Sequence, residues 1–171
     1  MTEYLDLVNE NDEVIGRVSR QECHRSDLCI HRSVYIFLMN NRKELFLQKR
    51  VESKDIYPGF YTGSASGHVD QGERYLEAAQ RELKEELGVT APIKEVCKFR
   101  SFTKIEKEIS TLYLCRYDGR LELNRDEISE GLFMPLYSIR EEMKSGKKKF
   151  ADGFIVAFEA FMNHMGKEMV P

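Results

Sequence analysis

The chain has 171 residues, of which 32% are charged and 42% are hydrophobic, and its net charge is −3. This length is enough for one domain that buries its own core. The slightly negative charge argues against a protein that coats nucleic acid or an anionic membrane, and no run approaches the roughly 20 apolar residues of a membrane span. The N-terminal residues lack the basic and apolar regions of a secretory signal, so we expect a cytoplasmic protein.

The N-terminal half alternates between runs of strand-forming residues and polar turns. Two short strands and then a hairpin of two longer strands are predicted, at "YLDLVN", "VIGRVS", "IHRSVYIFLM" and "ELFLQKR". Before the third strand, Ser19 and Glu22 have the spacing of a capping box, which predicts a short helix over "RQECHR". A loop with Gly and Pro, "YPGFYTGSASG", then leads into the stretch that carries the chemistry.

The C-terminal half predicts three more strands and a helix. The strands are "IKEVCKFRSF", "ISTLYLCRY" and "EGLFMPL", of which the first two form a pair. Phe154, Phe158 and Phe161 recur at helical spacing, which predicts a terminal helix at about residues 150–166 that packs on the core. Without repeats, low-complexity segments or a linker, residues 1–171 are predicted to form a single α+β domain.

The four cysteines show no C-x-x-C spacing. In a cytoplasmic protein we expect them to be reduced thiols, and their spacing does not predict a structural zinc site. They are Cys23, Cys29, Cys97 and Cys115.

Between the two halves, residues 73–87 have the periodicity of an amphipathic helix. Its predicted buried stripe consists of Leu76, Ala79, Leu83 and Leu87. Gly88 follows directly and is placed to end the helix, because glycine readily adopts the left-handed conformation of a C-terminal cap.

Three glutamates share another face of this helix, within an arc of about 100°: Glu82, Glu85 and Glu86. A solvated surface is the simplest interpretation, because glutamate is a good helix former. However, like charges at i and i+4 cost roughly 0.2–0.5 kcal/mol, and Arg81 is the obvious partner within the helix. Magnesium would neutralise the cluster, since it prefers carboxylate oxygens and completes its shell with water and substrate phosphates.

The whole stretch resembles the Nudix box, G-x5-E-x7-R-E-U-x-E-E-x-G-U, at every defined position. Gly67, Glu73 and the run from Arg81 to Val89 match it, so the box covers residues 67–89. The flanking strands and the terminal helix fit as well. The resemblance implies a Nudix-type α/β/α sandwich with a mixed central sheet, in which the box forms a loop–helix–loop catalytic motif.

The resemblance also implies hydrolysis of a nucleoside diphosphate linked to another group, with Mg²⁺ or Mn²⁺. The implied metal ligands are Glu82, Glu85 and Glu86. Glu73, Arg81 and Gly67 would orient the loop and the helix, and the backbone carbonyl of Ser66 would add a ligand. Divalent ions neutralise a diphosphate and lower the pKa of a bound water, while a glutamate accepts its proton.

The N-terminal half resembles the Nudix branch that contains the type 1 isopentenyl diphosphate isomerases and their hydrolase relatives. Those isomerases bind a metal through three histidines and two glutamates, which implies a second divalent metal here. The matching residues are His24, His31, His68, Glu106 and Glu108. Arg50 and Lys54 match the basic residues that hold the diphosphate, and Glu108 is also the preferred additional acid or base.

Each member of this set has a simpler interpretation. His24 would be a surface residue on a short helix, His31 would be hydrogen-bonded to a turn, and Glu106 and Glu108 would lie in an exposed loop. The simpler interpretation is preferred for His24 and Glu106, whereas both interpretations stay open for His31, His68 and Glu108.

The sequence departs from the isomerases in three respects. Ser66 replaces their catalytic cysteine, and a serine hydroxyl is a far poorer proton donor and acceptor than a thiol. The chain has no tryptophan to face a carbocation, and its acid cluster is complete where that of the isomerases is degraded. We therefore predict a metal-dependent pyrophosphohydrolase that acts on a small-molecule diphosphate. An isomerase and a non-catalytic nucleotide-binding domain are the alternatives, and the organic group of the substrate and a homodimer stay open.

Overall fold

The computed structural model describes residues 3–25 and 29–168. Within these ranges the strands are β1 (Tyr4–Val8), β2 (Val14–Ser19), β3 (Ile30–Met39), β4 (Glu44–Arg50), β5 (Tyr61–Thr62), β6 (Ala65–His68), β7 (Ile93–Phe102), β8 (Lys107–Arg116) and β9 (Ile128–Pro135). The helices are α1 (Arg20–Cys23), α2 (Tyr75–Leu87), α3 (Leu136–Ser145) and α4 (Asp152–Glu168). In this part of the chain, no helix is long and apolar enough to cross a membrane.

The central sheet has seven strands and is mixed. Its order is β5-β4-β3-β8-β7, with β6 also paired to β3 and β9 to β4. β3 and β8 run parallel, and the other pairs are antiparallel. β1 and β2 form a separate antiparallel hairpin. The sheet therefore places the start of β3 between β6 and β8.

Helices α2 and α4 cover opposite faces of this sheet, because successive side chains of a strand point to opposite faces. The even-numbered residues from Val34 to Leu38 belong to the core that includes α2. The odd-numbered residues from Tyr35 to Met39 belong to the core that includes α4. This arrangement confirms the predicted α/β/α sandwich.

The phenylalanines of α4 form much of the second core. Phe154, Phe158 and Phe161 are fully buried, and the rings of Phe154 and Phe161 lie 5.7 and 5.4 Å from that of Phe37. The predicted role of these residues in core packing is confirmed.

Helix α2 ends as predicted but buries a different arc. Gly88 caps it with φ 67°, in the left-handed region. The predicted stripe is wrong at Leu76, which is 45% exposed, whereas Ala78 and Glu86 are buried. At 100° per residue, the buried arc is rotated by about 40° from the predicted one, toward Glu86. One of the three acidic side chains is therefore buried.

Two other predictions about local structure need correction, and one helix was not predicted. The β3–β4 hairpin pairs at Met39↔Leu45, and most of β3 pairs instead with β6 and β8. The predicted loop before the box contains β5 and β6, and α3 is not among the predicted elements. These features depend on partners that are distant in the sequence.

The prediction that all four cysteines are reduced is also wrong. Cys23 and Cys29 form a disulfide, with their Cα atoms 5.2 Å apart, whereas Cys97 and Cys115 are free. The cause is the path of the chain: Cys23 ends α1 and Cys29 directly precedes β3. α1 itself is fixed by the predicted capping box of Ser19 and Glu22.

Candidate active site

A cleft of about 660 Å³ lies where α2, β3, β6 and β8 approach one another. This volume is typical of a small-molecule site. From the Nudix box and the residue before it, the cleft is lined by Ser66, Gly67, His68, Asp70, Arg81, Glu82 and Glu85. The other predicted residues that line it are Arg50, Lys54, Glu106 and Glu108. Members of both predicted metal clusters thus face one cavity, whereas Glu86, His24 and His31 are not among the residues that line it.

Arg81 joins the acidic helix to the loop that precedes it. Its guanidinium donates hydrogen bonds to both carboxylate oxygens of Glu73, at 3.0 and 2.9 Å, and to the carbonyl of His68 at 3.0 Å. It also donates to Glu82 at 2.6 Å and lies 3.5 Å from Glu85. A bidentate arginine–carboxylate pair has a defined geometry, so Arg81 fixes the loop relative to the helix.

Glu82 sits against a glycine. A Cβ atom at position 67 would collide with the Glu82 carboxyl group, so a side chain there would displace that carboxyl. Burial raises the pKa of the Glu82 carboxyl to about 7, although Arg81 opposes the shift. Glu85 is more open to solvent, with 58% of its side chain exposed.

Glu86 lies beneath the cleft and is only 4% exposed. Gln48 of β4 donates a hydrogen bond to its Oε2, and the backbone N–H of Ser66 donates to its Oε1 at 3.4 Å. Burial and the charge of Glu82 raise the pKa of Glu86 to about 8. A bound cation would offset the cost of ionising these two poorly solvated acids, so the donor set fits a divalent metal.

The pairing of β3 brings together the second set of predicted ligands. In the parallel pair His31 lies opposite Glu108, and His68 of β6 lies opposite Ser33. His24 follows α1 and completes a triangle of rings, with centroids 5.6 Å from His31 and 5.1 Å from His68. The rings of His31 and His68 are 5.0 Å apart.

The simpler interpretation of His24 and Glu106 as surface residues is wrong, because only 11% and 16% of their side chains are exposed. The Nε2 atoms of His24 and His31 are buried and have no hydrogen-bond partner among the described residues. Each faces a carboxylate, His24 toward Glu106 at 3.9 Å and His31 toward Glu108 at 3.4 Å. Ligand atoms that share an ion at about 2.1 Å lie about 3.0–3.4 Å apart. The cluster is therefore close to the dimensions of a metal site.

Three charges of this cluster also fit a metal, although, against the effect of burial, Glu3 and Glu108 raise the pKa of the His68 imidazole. Burial lowers the pKa of the His24 imidazole to about 4, so the ring is neutral and able to act as a ligand. Burial and the charge of Glu108 raise the pKa of Glu106 to about 7. Burial opposes ionisation of Glu108 too, but the contact with His31 holds its pKa below the ordinary value.

The two predicted diphosphate-binding residues line the cleft together with Arg81 and one further cation. Arg50 donates to the carbonyl of Ile56 at 3.0 Å, and Lys54 forms an ion pair with Glu127 at 2.9 Å. Arg20 also lines the cleft and was not predicted. Among the described residues, eight carboxyl groups face the cleft against four arginine or lysine side chains. The cleft is therefore acidic overall.

Sequence reasoning missed three further polar residues of the site. Glu3 lies 3.1 Å from His68 Nδ1, Gln48 binds Glu86, and Glu127 lines the cleft beside Lys54. Each reaches the site from an element distant in the sequence from the Nudix box. The local sequence around these residues carries no signal that distinguishes them from other polar residues.

Comparisons with known proteins identify the family of this chain. The NUDIX domain family model matches residues 30–154. The chain is 37% identical over 130 residues to YfcD, a Nudix hydrolase of Escherichia coli strain K12, covering 75% of this chain and 72% of YfcD. It is 32% identical over 168 residues to isopentenyl-diphosphate Delta-isomerase 2 of Photorhabdus laumondii, covering 95% of this chain and 92% of that protein.

A solved structure is also similar in fold. The crystal structure of DR0079 from Deinococcus radiodurans has a TM-score of 0.78 and 30% sequence identity, and the match covers 88% of this chain and 94% of that one. The family model matches most of the chain, including all of the box. The chain therefore belongs to the Nudix family of hydrolases, enzymes that cleave pyrophosphate bonds and generally use divalent metals.

Proposed function

We propose that the protein hydrolyses the diphosphate linkage of a small organic pyrophosphate, of the nucleoside-diphosphate type or a related one, with Mg²⁺ or Mn²⁺. The observation that carries this proposal is the negative charge of the cleft. Carboxyl groups outnumber basic side chains there, although Arg50 and Lys54 also line it. A polyanionic diphosphate would be repelled from such a surface unless cations accompanied it. Mg²⁺ binds both carboxylate oxygens and phosphate oxygens, so it is suited to the cleft and to the substrate alike.

Glu82, Glu85 and Glu86 would hold the metal, with the carbonyl of Ser66 beside them. When bound, the metal would neutralise the diphosphate and lower the pKa of the attacking water. Gln48 holds Glu86 in place through its hydrogen bond, and Arg81 holds Glu82.

The remaining steps fall to side chains elsewhere in the cleft. Arg50 and Lys54 would bind the diphosphate, and Lys54 must exchange its partner Glu127 for a phosphate oxygen to do so. Glu108 is our proposed proton acceptor, and Glu127 is the structural alternative because its charge acts on both Glu82 and Glu86.

We also propose a second divalent metal on the histidine and glutamate cluster. The ligands would be His24, His31, His68, Glu106 and Glu108. The unpartnered Nε2 atoms of His24 and His31 support this assignment, since a buried nitrogen without a partner is costly unless a ligand meets it. Replacing His31 and His68 together by Ala should remove one metal per chain, and unchanged metal content would contradict it.

The histidine and glutamate cluster favours isomerisation as an alternative activity. Its residues match the metal ligands of the isomerases, and a relative is named an isopentenyl-diphosphate Delta-isomerase. Ser66 and the absence of tryptophan argue against isomerisation. A non-catalytic nucleotide-binding domain is the other alternative, which the intact acid cluster does not favour. We further propose a cytoplasmic location and no nucleic-acid or membrane partner, and a homodimer stays open.

One assay separates these functions. The wild-type protein is incubated with nucleoside di- and triphosphates, nucleotide sugars, dinucleotides and prenyl diphosphates, with Mg²⁺ or Mn²⁺ and with a chelator as control. We expect metal-dependent release of phosphate or a phosphomonoester from at least one class. Conversion of isopentenyl diphosphate to dimethylallyl diphosphate without phosphate release would support the isomerase. Binding without turnover across the panel would support the non-catalytic domain.

A further inference from the structure

The pair Cys23 and Cys29 lies beside His24 and His31, and Glu106 lines the same small cavity. Both cysteines are buried, at 3% and 6% exposure. Cys23 Sγ is 3.3 Å from the Nδ1 atom of His31. The fold therefore gathers two sulfur atoms and one imidazole nitrogen in the interior.

The two nitrogens of His31 face different groups. Nε2 faces Glu108 at 3.4 Å, whereas Nδ1 faces Cys23. A neutral imidazole has one N–H and one nitrogen with a free lone pair, so His31 can ligate a metal through Nε2 or through Nδ1, but not through both at once. The sulfur side of His31 is thus an alternative donor position to the Nε2 atom proposed above.

A small cavity adjoins this group. It has a volume of about 10 Å³ and is lined by Cys23, His24, Cys29, His31 and residues 103–107. Such a volume corresponds to about one water-sized sphere. The donor atoms of Cys23, Cys29 and His31 all lie within 4.8 Å of one another. The space suits a single ion, and the three donor atoms are near enough to share it once the two sulfur atoms separate.

We propose that, when the disulfide is reduced, Cys23 Sγ, Cys29 Sγ and His31 Nδ1 bind one thiophilic divalent cation such as Zn²⁺. A water in the adjoining cavity would supply the fourth position of a tetrahedral site. Soft thiolate ligands select Zn²⁺ over Mg²⁺ or Mn²⁺, so this site and the glutamate site take different metals. The site is distinct from the proposed hydrolytic function and does not depend on it.

The chemistry requires a reductant. A dithiol or a phosphine supplies two electrons, the S–S bond breaks, and each sulfur takes up one proton. Both protons leave when the metal binds, because the thiolate is the ligand. The sulfurs separate from about 2 Å in the disulfide to about 3.8 Å at the metal. Disulfide and metal are therefore mutually exclusive, and the redox state of the pair determines whether the site is occupied.

Cobalt titration tests the proposal in the full-length protein. Co²⁺ bound by thiolates shows a charge-transfer band in the near ultraviolet, which carboxylate and imidazole ligands do not produce. Protein reduced anaerobically with a phosphine should develop this band and lose it when Zn²⁺ is added, whereas Co²⁺ bound at the proposed carboxylate and imidazole sites should not contribute to the band. Oxidised wild-type protein should show no band, and this comparison requires no variant that has to fold.

Three variants assign the ligands. The double variant Cys23→Ser/Cys29→Ser should lose the band, and Cys97→Ser should keep it, since Cys97 is a half-buried free thiol on β7. His31→Gln should weaken Co²⁺ binding, followed by the band, at least about tenfold. Loss of a residue that merely hydrogen-bonds a metal ligand already lowers metal affinity by that factor. Absence of the band from reduced wild-type protein, its persistence in the double serine variant, or unchanged affinity in His31→Gln would each overturn the proposal.

Discussion

His68 Nδ1 lies 3.1 Å from the Oε1 atom of Glu3. The opposite nitrogen, Nε2, faces Glu108 at 3.9 Å. Glu3 reaches this position because Leu5 of β1 is bridged to Asp70, just beyond His68. A carboxylate that accepts the N–H of a ligating histidine fixes its tautomer and aims the other nitrogen at the metal.

Glu3→Gln should weaken metal binding at the histidine and glutamate cluster by about 10- to 100-fold, since an amide orients His68 less strongly than a carboxylate. Titration calorimetry with Mn²⁺ would measure this in a Glu86→Gln background, in which the proposed glutamate site is disabled. Glu10→Gln, an exposed acid on the same hairpin, should leave the affinity unchanged. Equal affinities in Glu3→Gln and Glu10→Gln would remove Glu3 from the site.

Arg81→Lys should reduce turnover by about 10- to 100-fold and weaken Mg²⁺ binding, because a lysine cannot make the bidentate contact to Glu73 and also hold Glu82. Steady-state kinetics at several Mg²⁺ concentrations would separate the loss of metal affinity from the loss of maximal rate. The matched control is Arg74→Lys, since Arg74 makes an exposed pair with Glu77 on the same helix. If both variants behave like the wild type, Arg81 does not position the acids.

Gly67→Ala should lower metal affinity and activity while the protein stays folded, because the added methyl group displaces the Glu82 carboxyl. Gly16→Ala is the control, since a Cβ there would make only an ordinary contact of 3.8 Å with Leu7. Circular dichroism would check the fold, and Mn²⁺ titration would check the metal site. Wild-type affinity in Gly67→Ala would show that Glu82 is not held against this glycine.

The corrected orientation of α2 predicts a difference between two leucines of the original stripe. Leu83→Ala should lower the free energy of unfolding by about 2–5 kcal/mol, because Leu83 is 1% exposed and its loss leaves a cavity. Leu76→Ala should change it by less than about 1 kcal/mol, since Leu76 is 45% exposed. Urea unfolding of the two variants provides the measurement. Similar losses of unfolding free energy in both variants would instead support the buried stripe predicted from the sequence.

Features that depend on nearby residues were predictable from the sequence. The spacing of the box places Arg81 beside Glu82 and Glu85, and Gly88 ends the helix, because both follow from helical geometry. The strand pair β7–β8 likewise follows from two apolar runs joined by a short turn. α3 had local signals, since it follows Pro135 and ends at Gly146 with φ 67°, but its few apolar residues did not stand out.

Features that depend on distant partners were not predictable. β6 contains Ser66, Gly67 and His68, which are poor strand formers, and it is a strand because β3 pairs with it. β3 pairs in parallel with β8, more than 70 residues away, and no local pattern specifies that register. The disulfide depends on how α1 meets β3, which the spacing of Cys23 and Cys29 does not reveal.

The most direct test of the account compares metal-dependent turnover in wild-type protein, Glu86→Gln and the control Glu77→Gln, an exposed acid on the same helix. The substrate is whichever diphosphate the panel identifies. We predict that Glu86→Gln loses activity by at least about 100-fold, since the charge stabilisation by a metal is worth several kcal/mol, while Glu77→Gln stays close to wild type. Similar metal-dependent rates in all three proteins would contradict a metal site on this helix.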